Sequence, residues 1–140
     1  MRPKLWFAFV VGLLVLGSCE VFNAEAAARR MRESDAFAQA FVRDLHEQGF
    51  ASVRDRIDPS ALPHFAGSGL RDLRVALPAR IDSMSIAETI EFEFEDGYVV
   101  EKIPYLISGH GKAMQVTIRL TERRGVRRVD TIWWDQTQSP

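Results

Sequence analysis

The spacing of apolar residues changes twice along this chain, and each change marks a new kind of element. Residues 5–16, LWFAFVVGLLVL, are apolar almost throughout. From Ser34 the apolar positions take helical spacing: Phe37, Ala38, Phe41, Val42 and Leu45 form one stripe, while Arg43, Asp44, Glu47 and Gln48 point elsewhere. Ser34 is the expected N-cap, Asp35 suits the positive end of the helix, and Gly49 is the expected stop. Residues 50–80 read as two or three short helices interrupted by Pro59, Pro63 and Pro78. Phe50, Val53 and Ile57 line one face, Leu70, Leu73 and Leu77 another, and Gly67 and Gly69 mark a loop.

Near Ser83 the period falls to two. In TIEFEFE, Ile90, Phe92 and Phe94 face one way and Glu91, Glu93 and Glu95 the other. Asp96-Gly97 is a hairpin signal, and YVVEKIPYLIS follows as a strand in which Pro104 predicts an edge or a bulge. GHG turns the chain into KAMQVTIRLTE, whose apolar face carries Met114, Val116, Ile118 and Leu120. Arg124-Gly125 turns it again into VRRVDTIWWD. Helices followed by an antiparallel meander with one apolar face predict an α+β domain. In it the N-terminal helix and short helices pack on a roughly four-stranded antiparallel sheet.

The opening segment changes the picture of where the protein resides. Arg2 and Lys4 precede the apolar run, and small residues end it, which is the layout of a secretory signal peptide. The run is shorter than the ~20 residues a spanning helix needs. Leu16-Gly17-Ser18-Cys19 resembles the lipobox of bacterial lipoproteins, an aliphatic residue and two small residues before cysteine. That resemblance implies cleavage before Cys19 and acylation of its thiol and new amino terminus. It also implies a membrane anchor in the bacterial cell envelope. Glu20 stands where an aspartate would favour inner-membrane retention, so the periplasmic face of the outer membrane is the expected location. As the single cysteine, Cys19 cannot form an internal disulfide, and lipidation removes a free thiol from an oxidising compartment. Two or three acyl chains anchor stably where one holds weakly.

The organisation that follows is a signal over 1–18, a tether or frayed helix start over 19–33, and one α+β domain over 34–140. Removing 18 residues from 140 leaves 122, enough for one domain that buries ~65% of its unfolded surface. Without Arg2 and Lys4, 16 basic residues face 19 acidic ones, a formal charge of −3. No basic stripe points to nucleic acid. The element order over 34–135 resembles the NTF2-like and cystatin-like families, in which a helix lies in the curve of an antiparallel sheet. That resemblance implies a fold that hosts small enzymes, ligand binders and association modules alike.

Candidate chemistry is sparse. His46 falls in the last helical turn, where its charged form would cap the negative end of the helix, His64 in a proline-bounded loop and His110 in a turn. No HxxxH, HxH or Cys/His cluster predicts a metal, and no cofactor is expected. There is no GxSxG, and Ser60, Ser68 and Ser108 read as loop residues. Asp130 and Tyr105 are the polar residues that an inward-facing acid–base site would use; the other reading of Asp130 is that it faces solvent or pairs with a basic neighbour. Glu91, Glu93 and Glu95 form an acidic row. Arg119, Arg123, Arg124, Arg127 and Arg128 form a basic cluster, which either pairs with that row or holds an anionic partner such as lipid headgroups. Trp133 and Trp134 are adjacent on a strand, so one enters the core and the other is either a candidate partner contact or covered by the C-terminal tail. The expected role is a non-catalytic binding or accessory module, with an envelope protein as partner. The alternatives are a small-molecule enzyme or ligand carrier with a helix–sheet pocket, and a subunit of a surface assembly. A closed module predicts that Phe37, Phe41, Phe92 and Phe94 fill that pocket.

Overall fold

A computed structural model describes the backbone of residues 3–135 and the side chains of residues 23–135. Cys19, the expected acylation site, and residues 1–18, expected as a signal, lie outside the described side chains. Among the described residues, no helix is long and apolar enough to cross a membrane. The chain divides into two compact units, residues 1–35 and 36–140. Helix α1 spans Pro3–Gln48. It is continuous through Ser34, which therefore caps nothing. Residues 24–33, AEAAARRMRE, are nearly all strong helix formers without Gly or Pro, so no local signal stops the helix there. In the first unit Arg29 and Glu33 form an exposed pair at 3.9 Å.

Within residues 36–140, α1 ends as expected. Gly49 takes φ 87° and its N–H donates to the Leu45 carbonyl at 3.0 Å. Short helical pieces follow: α2 (Phe50–Val53), a 3₁₀ turn (Arg54–Arg56), α3 (Leu62–His64) and α4 (Leu70–Ala76). The sheet contains β1 (Ser83–Ile86), β2 (Glu91–Glu95), β3 (Tyr98–Gly109), β4 (Lys112–Arg123) and β5 (Val126–Asp135). Its order is β1-β3-β4-β5, with β2 also paired to β3, and every strand pair is antiparallel.

The edge expected as one strand is thus two, and Pro104 explains the break. β1 pairs with β3 up to Ile86↔Tyr105, and β2 resumes at Glu91↔Lys102. The Pro104 carbonyl accepts from Ala87 at 2.8 Å. A strand residue aims its N–H and C=O at the same neighbour, so the N–H that proline lacks would have faced the gap. Pro104 therefore sits in a central strand, and the interruption falls on its neighbour. The three two-residue hairpins, Asp96-Gly97, His110-Gly111 and Arg124-Gly125, all have positive φ at both positions. That is the type I′ geometry matching the twist of the flanking strands.

One face of the sheet meets the helices. Ile103, Tyr105, Ile107, Met114, Val116, Ile118, Leu120 and Val129 are buried against Ala38, Phe41, Val42 and Leu45, with Leu70 and Leu73 of α4. Two expectations fail here. Phe92 is 43% exposed and Phe94 84% exposed. Phe94 pairs with Val99 one step from the Asp96-Gly97 turn, where the hairpin extends past the packed rows. Of the four phenylalanines, Phe41 is buried in the core and Phe37 only packs against it.

Candidate functional site

The polar chemistry is arranged around the sheet rather than inside it. Tyr105, one of the two inward candidates, is fully buried in the apolar core. Asp130, the other, is redirected by a β-bulge. Opposite Arg119 and Leu120 of β4, strand β5 supplies Thr131 and Val129, leaving Asp130 as the extra residue. Strict alternation would have set Asp130 beside Ile132 on the helix side. The bulge turns it outward, where Arg119 donates to its carboxylate at 2.5 Å and the Thr131 hydroxyl at 2.8 Å.

Arg119 also donates to Glu95 at 2.6 Å, so it joins β2 and β5 across the outer face. Lys102 lies 2.9 Å from Glu93 and 3.8 Å from Glu91. Among the described residues, Arg119 is thus the one member of the basic cluster that pairs with the acidic row. Arg127 pairs instead with Glu122 at 3.0 Å. Arg123 stacks 4.1 Å above the centre of the Tyr98 ring.

Arg123, Arg124 and Arg128 converge with Asp58, Ser60 and Thr121 on a surface groove of about 450 Å³. The groove is closed on one side by residues 57–60, because Ile57 bridges Val129 and Asp58 donates its N–H to the Val129 carbonyl at 2.8 Å. Burial pushes the Asp58 carboxyl up, but the Ser60 hydroxyl and N–H, at 2.5 and 2.9 Å, together with Arg123 and Arg128, hold it net below its ordinary 3.8. Burial is also the largest influence on Asp130, and there it prevails over Thr131 and Arg119 to raise the value above 3.8.

These shifts act in opposite directions on stability. Asp58, with a depressed folded value, contributes stability above pH ~3.8 that is lost as pH falls through that folded value. The contribution of Asp130 is present below ~3.8 and is lost as pH rises through its raised folded value. Ser60→Ala is expected to move the acid-unfolding midpoint to higher pH, as followed by circular dichroism. A midpoint unchanged or lowered would show that Ser60 does not hold the Asp58 charge.

The histidines have structural work. His46 donates from Nε2 to the Pro78 carbonyl at 2.8 Å, tying α1 to the segment after α4 rather than capping its own helix. The capping role falls to Arg74, whose Nε donates to the His46 carbonyl at 3.0 Å. His64 is exposed at the end of α3, and His110 is an exposed turn residue whose N–H donates to Asp82 at 3.2 Å. Ser108 meets Ser83, hydroxyl to hydroxyl, at 2.6 Å, and Ser68 is exposed. Among the described residues, no group of three His, Cys, Asp or Glu is placed to hold a metal ion.

The tryptophans divide as the strand geometry requires. Trp134 packs against the core, while Trp133 is 48% exposed on the outer face in one row with Thr117 and Pro104. Leu106, 37% exposed, lies on the same face. Sequence reasoning overlooked Glu101, a carboxylate only 1% exposed on the helix side of the sheet between Phe92 and Leu120. Its parity with Ile103, Tyr105 and Ile107 was the available signal. Compared with known protein families, with characterised proteins and with solved structures, the chain matches none.

Proposed function

We propose that this chain is a lipid-anchored protein of the bacterial cell envelope, held through acyl chains on Cys19 at the periplasmic face of the outer membrane. Its folded unit, NTF2-like or cystatin-like in element order, acts as a non-catalytic binding module. It docks an envelope protein through the outer sheet face around Trp133. The observation carrying this reading is the exposure of a tryptophan on the same sheet face as the exposed Leu106, while Phe41, Tyr105, Met114 and Ile118 are buried in the core between helix and sheet. A small-molecule enzyme or ligand carrier of the alternative kind would need that space open.

Two measurements test the two halves of the proposal. Fatty-acid labelling is expected to mark the full chain and to disappear in Cys19→Ala; label retained in the variant would end the anchoring reading. A photo-crosslinker at position 133 in cells is expected to capture one discrete protein, with none captured from position 124 on the far hairpin. Trp133→Ala should leave stability within about 0.5 kcal/mol. Trp134→Ala should cost about 1–3 kcal/mol, less than a fully buried aromatic. Equal losses would mean that Trp133 is a packing residue. Native mass spectrometry of the gently extracted protein showing a discrete small-molecule adduct would favour the carrier instead.

A further inference from the structure

The groove beside the last hairpin contains charge that the surrounding structure leaves uncompensated. Arg119 and Arg127, also in the basic run, are each matched to a carboxylate at 3.0 Å or less. Among the described residues, Arg123, Arg124 and Arg128 have no carboxylate within ion-pair distance, and all three line the same groove. The one acidic residue lining it is Asp58, whose Oδ1 already accepts both the hydroxyl and the N–H of Ser60. Three guanidiniums against one carboxylate leave a formal excess of two positive charges.

The fold brings these groups together on one side. Arg123 and Arg128 point to the outer face, through the pairs Arg123↔Val126 and Thr121↔Arg128. Arg124 occupies the turn at φ 53°. The cation–π contact with Tyr98, 4.1 Å from Cζ to the ring centre, anchors the Arg123 guanidinium and uses none of its N–H donors. Thr121, 2% exposed, is a neutral residue of the lining. Planar forks around a concave surface match a tetrahedral oxyanion, which accepts paired N–H donors. The volume of about 450 Å³ falls in the range of small-molecule sites and leaves room for more than a bare ion.

We propose that this groove binds a phosphate-bearing ligand, with its anionic phosphate held by Arg123, Arg124 and Arg128. The site does not depend on the anchor or on the Trp133 face, so its test is separate from theirs. A phospholipid headgroup and a soluble phosphate share the chemistry, and the test separates them.

The full chain in zwitterionic detergent would be titrated with inorganic phosphate and with dihexanoyl phosphatidylglycerol, following the arginine Nε–Hε signals by NMR. The Arg123, Arg124 and Arg128 signals are expected to shift saturably, and added salt to weaken the binding. The double variant Arg123→Gln/Arg128→Gln should weaken it at least tenfold, with Arg54→Gln, an exposed arginine elsewhere, leaving it unchanged. Tighter binding of the phosphatidylglycerol would assign a headgroup; tighter or equal binding of inorganic phosphate would assign a soluble ligand. No saturable shift with either probe, or shifts that survive the double variant, would overturn the site. Because the shifts are first read on the unsubstituted chain, a folding defect in the variant would not rescue the idea.

Discussion

Gly109→Ala is expected to lower the melting temperature by roughly 12–24 °C, corresponding to about 3 kcal/mol at ~4–8 °C per kcal/mol for a domain of ~100 residues. A Cβ at this position would lie 1.7 Å from the Arg80 carbonyl oxygen, 2.8 Å from its carbon and 3.0 Å from the Asp82 nitrogen. All three are backbone atoms, so no flexible side-chain end can swing aside. The segment entering β1 crosses the end of β3 here. It is held by the Asp82 N–H on the Ser108 carbonyl at 2.9 Å and by the Ser83–Ser108 hydroxyl contact. Accommodating a methyl means lifting that crossing and losing those bonds, hence a cost at the upper end of overpacking effects. Gly111 supplies the comparison. Its φ is 74° with nothing within 4 Å, so Gly111→Ala should cost only ~1–2 kcal/mol for the left-handed backbone. Thermal unfolding of both variants decides the matter: a Gly109 variant as stable as the Gly111 variant would mean the crossing is not closely packed.

Phe41→Ala should cost about 3–5 kcal/mol, whereas Phe94→Ala should stay within about 0.5 kcal/mol of the unsubstituted protein. Phe41 is fully buried, and its removal leaves a cavity bounded by side chains of both helix and sheet. Phe94 is 84% exposed. The comparison bears on a point where periodicity misleads, since both residues sit on apolar stripes of equal regularity. Urea unfolding of the two variants would settle it, and a large loss from Phe94→Ala would show that β2 is covered after all.

What could be read in the chain follows from local rules. The stripe Ala38, Phe41, Val42 and Leu45 is a helix face, and Met114, Val116, Ile118 and Leu120 form a strand face. Both became core because each period allows one apolar side. The Asp96-Gly97 and Arg124-Gly125 dipeptides located their hairpins, as did His110-Gly111 within the GHG turn, because glycine at positive φ is a local requirement. The candidate site was legible only in part. Five arginines close in sequence were visible, but not that Glu95, 24 residues away, would pair with Arg119, nor that the Asp58 segment would lie beside Arg123 and Arg128 without forming an ion pair.

Short-range pattern was thus enough to assign helices before strands, the buried faces of α1 and β4, the places where the chain turns back and an N-terminal segment that predicts lipid anchoring. These depend on short-range spacing and backbone preference, which act wherever the residues stand. Packing between distant segments set the split of the edge strand opposite Pro104, the bulge that turns Asp130 outward and the meeting of Arg123, Arg124 and Arg128 in one groove. Each of those outcomes depends on which backbone lies alongside which, and register and crossing geometry between distant segments are set by packing of the whole domain.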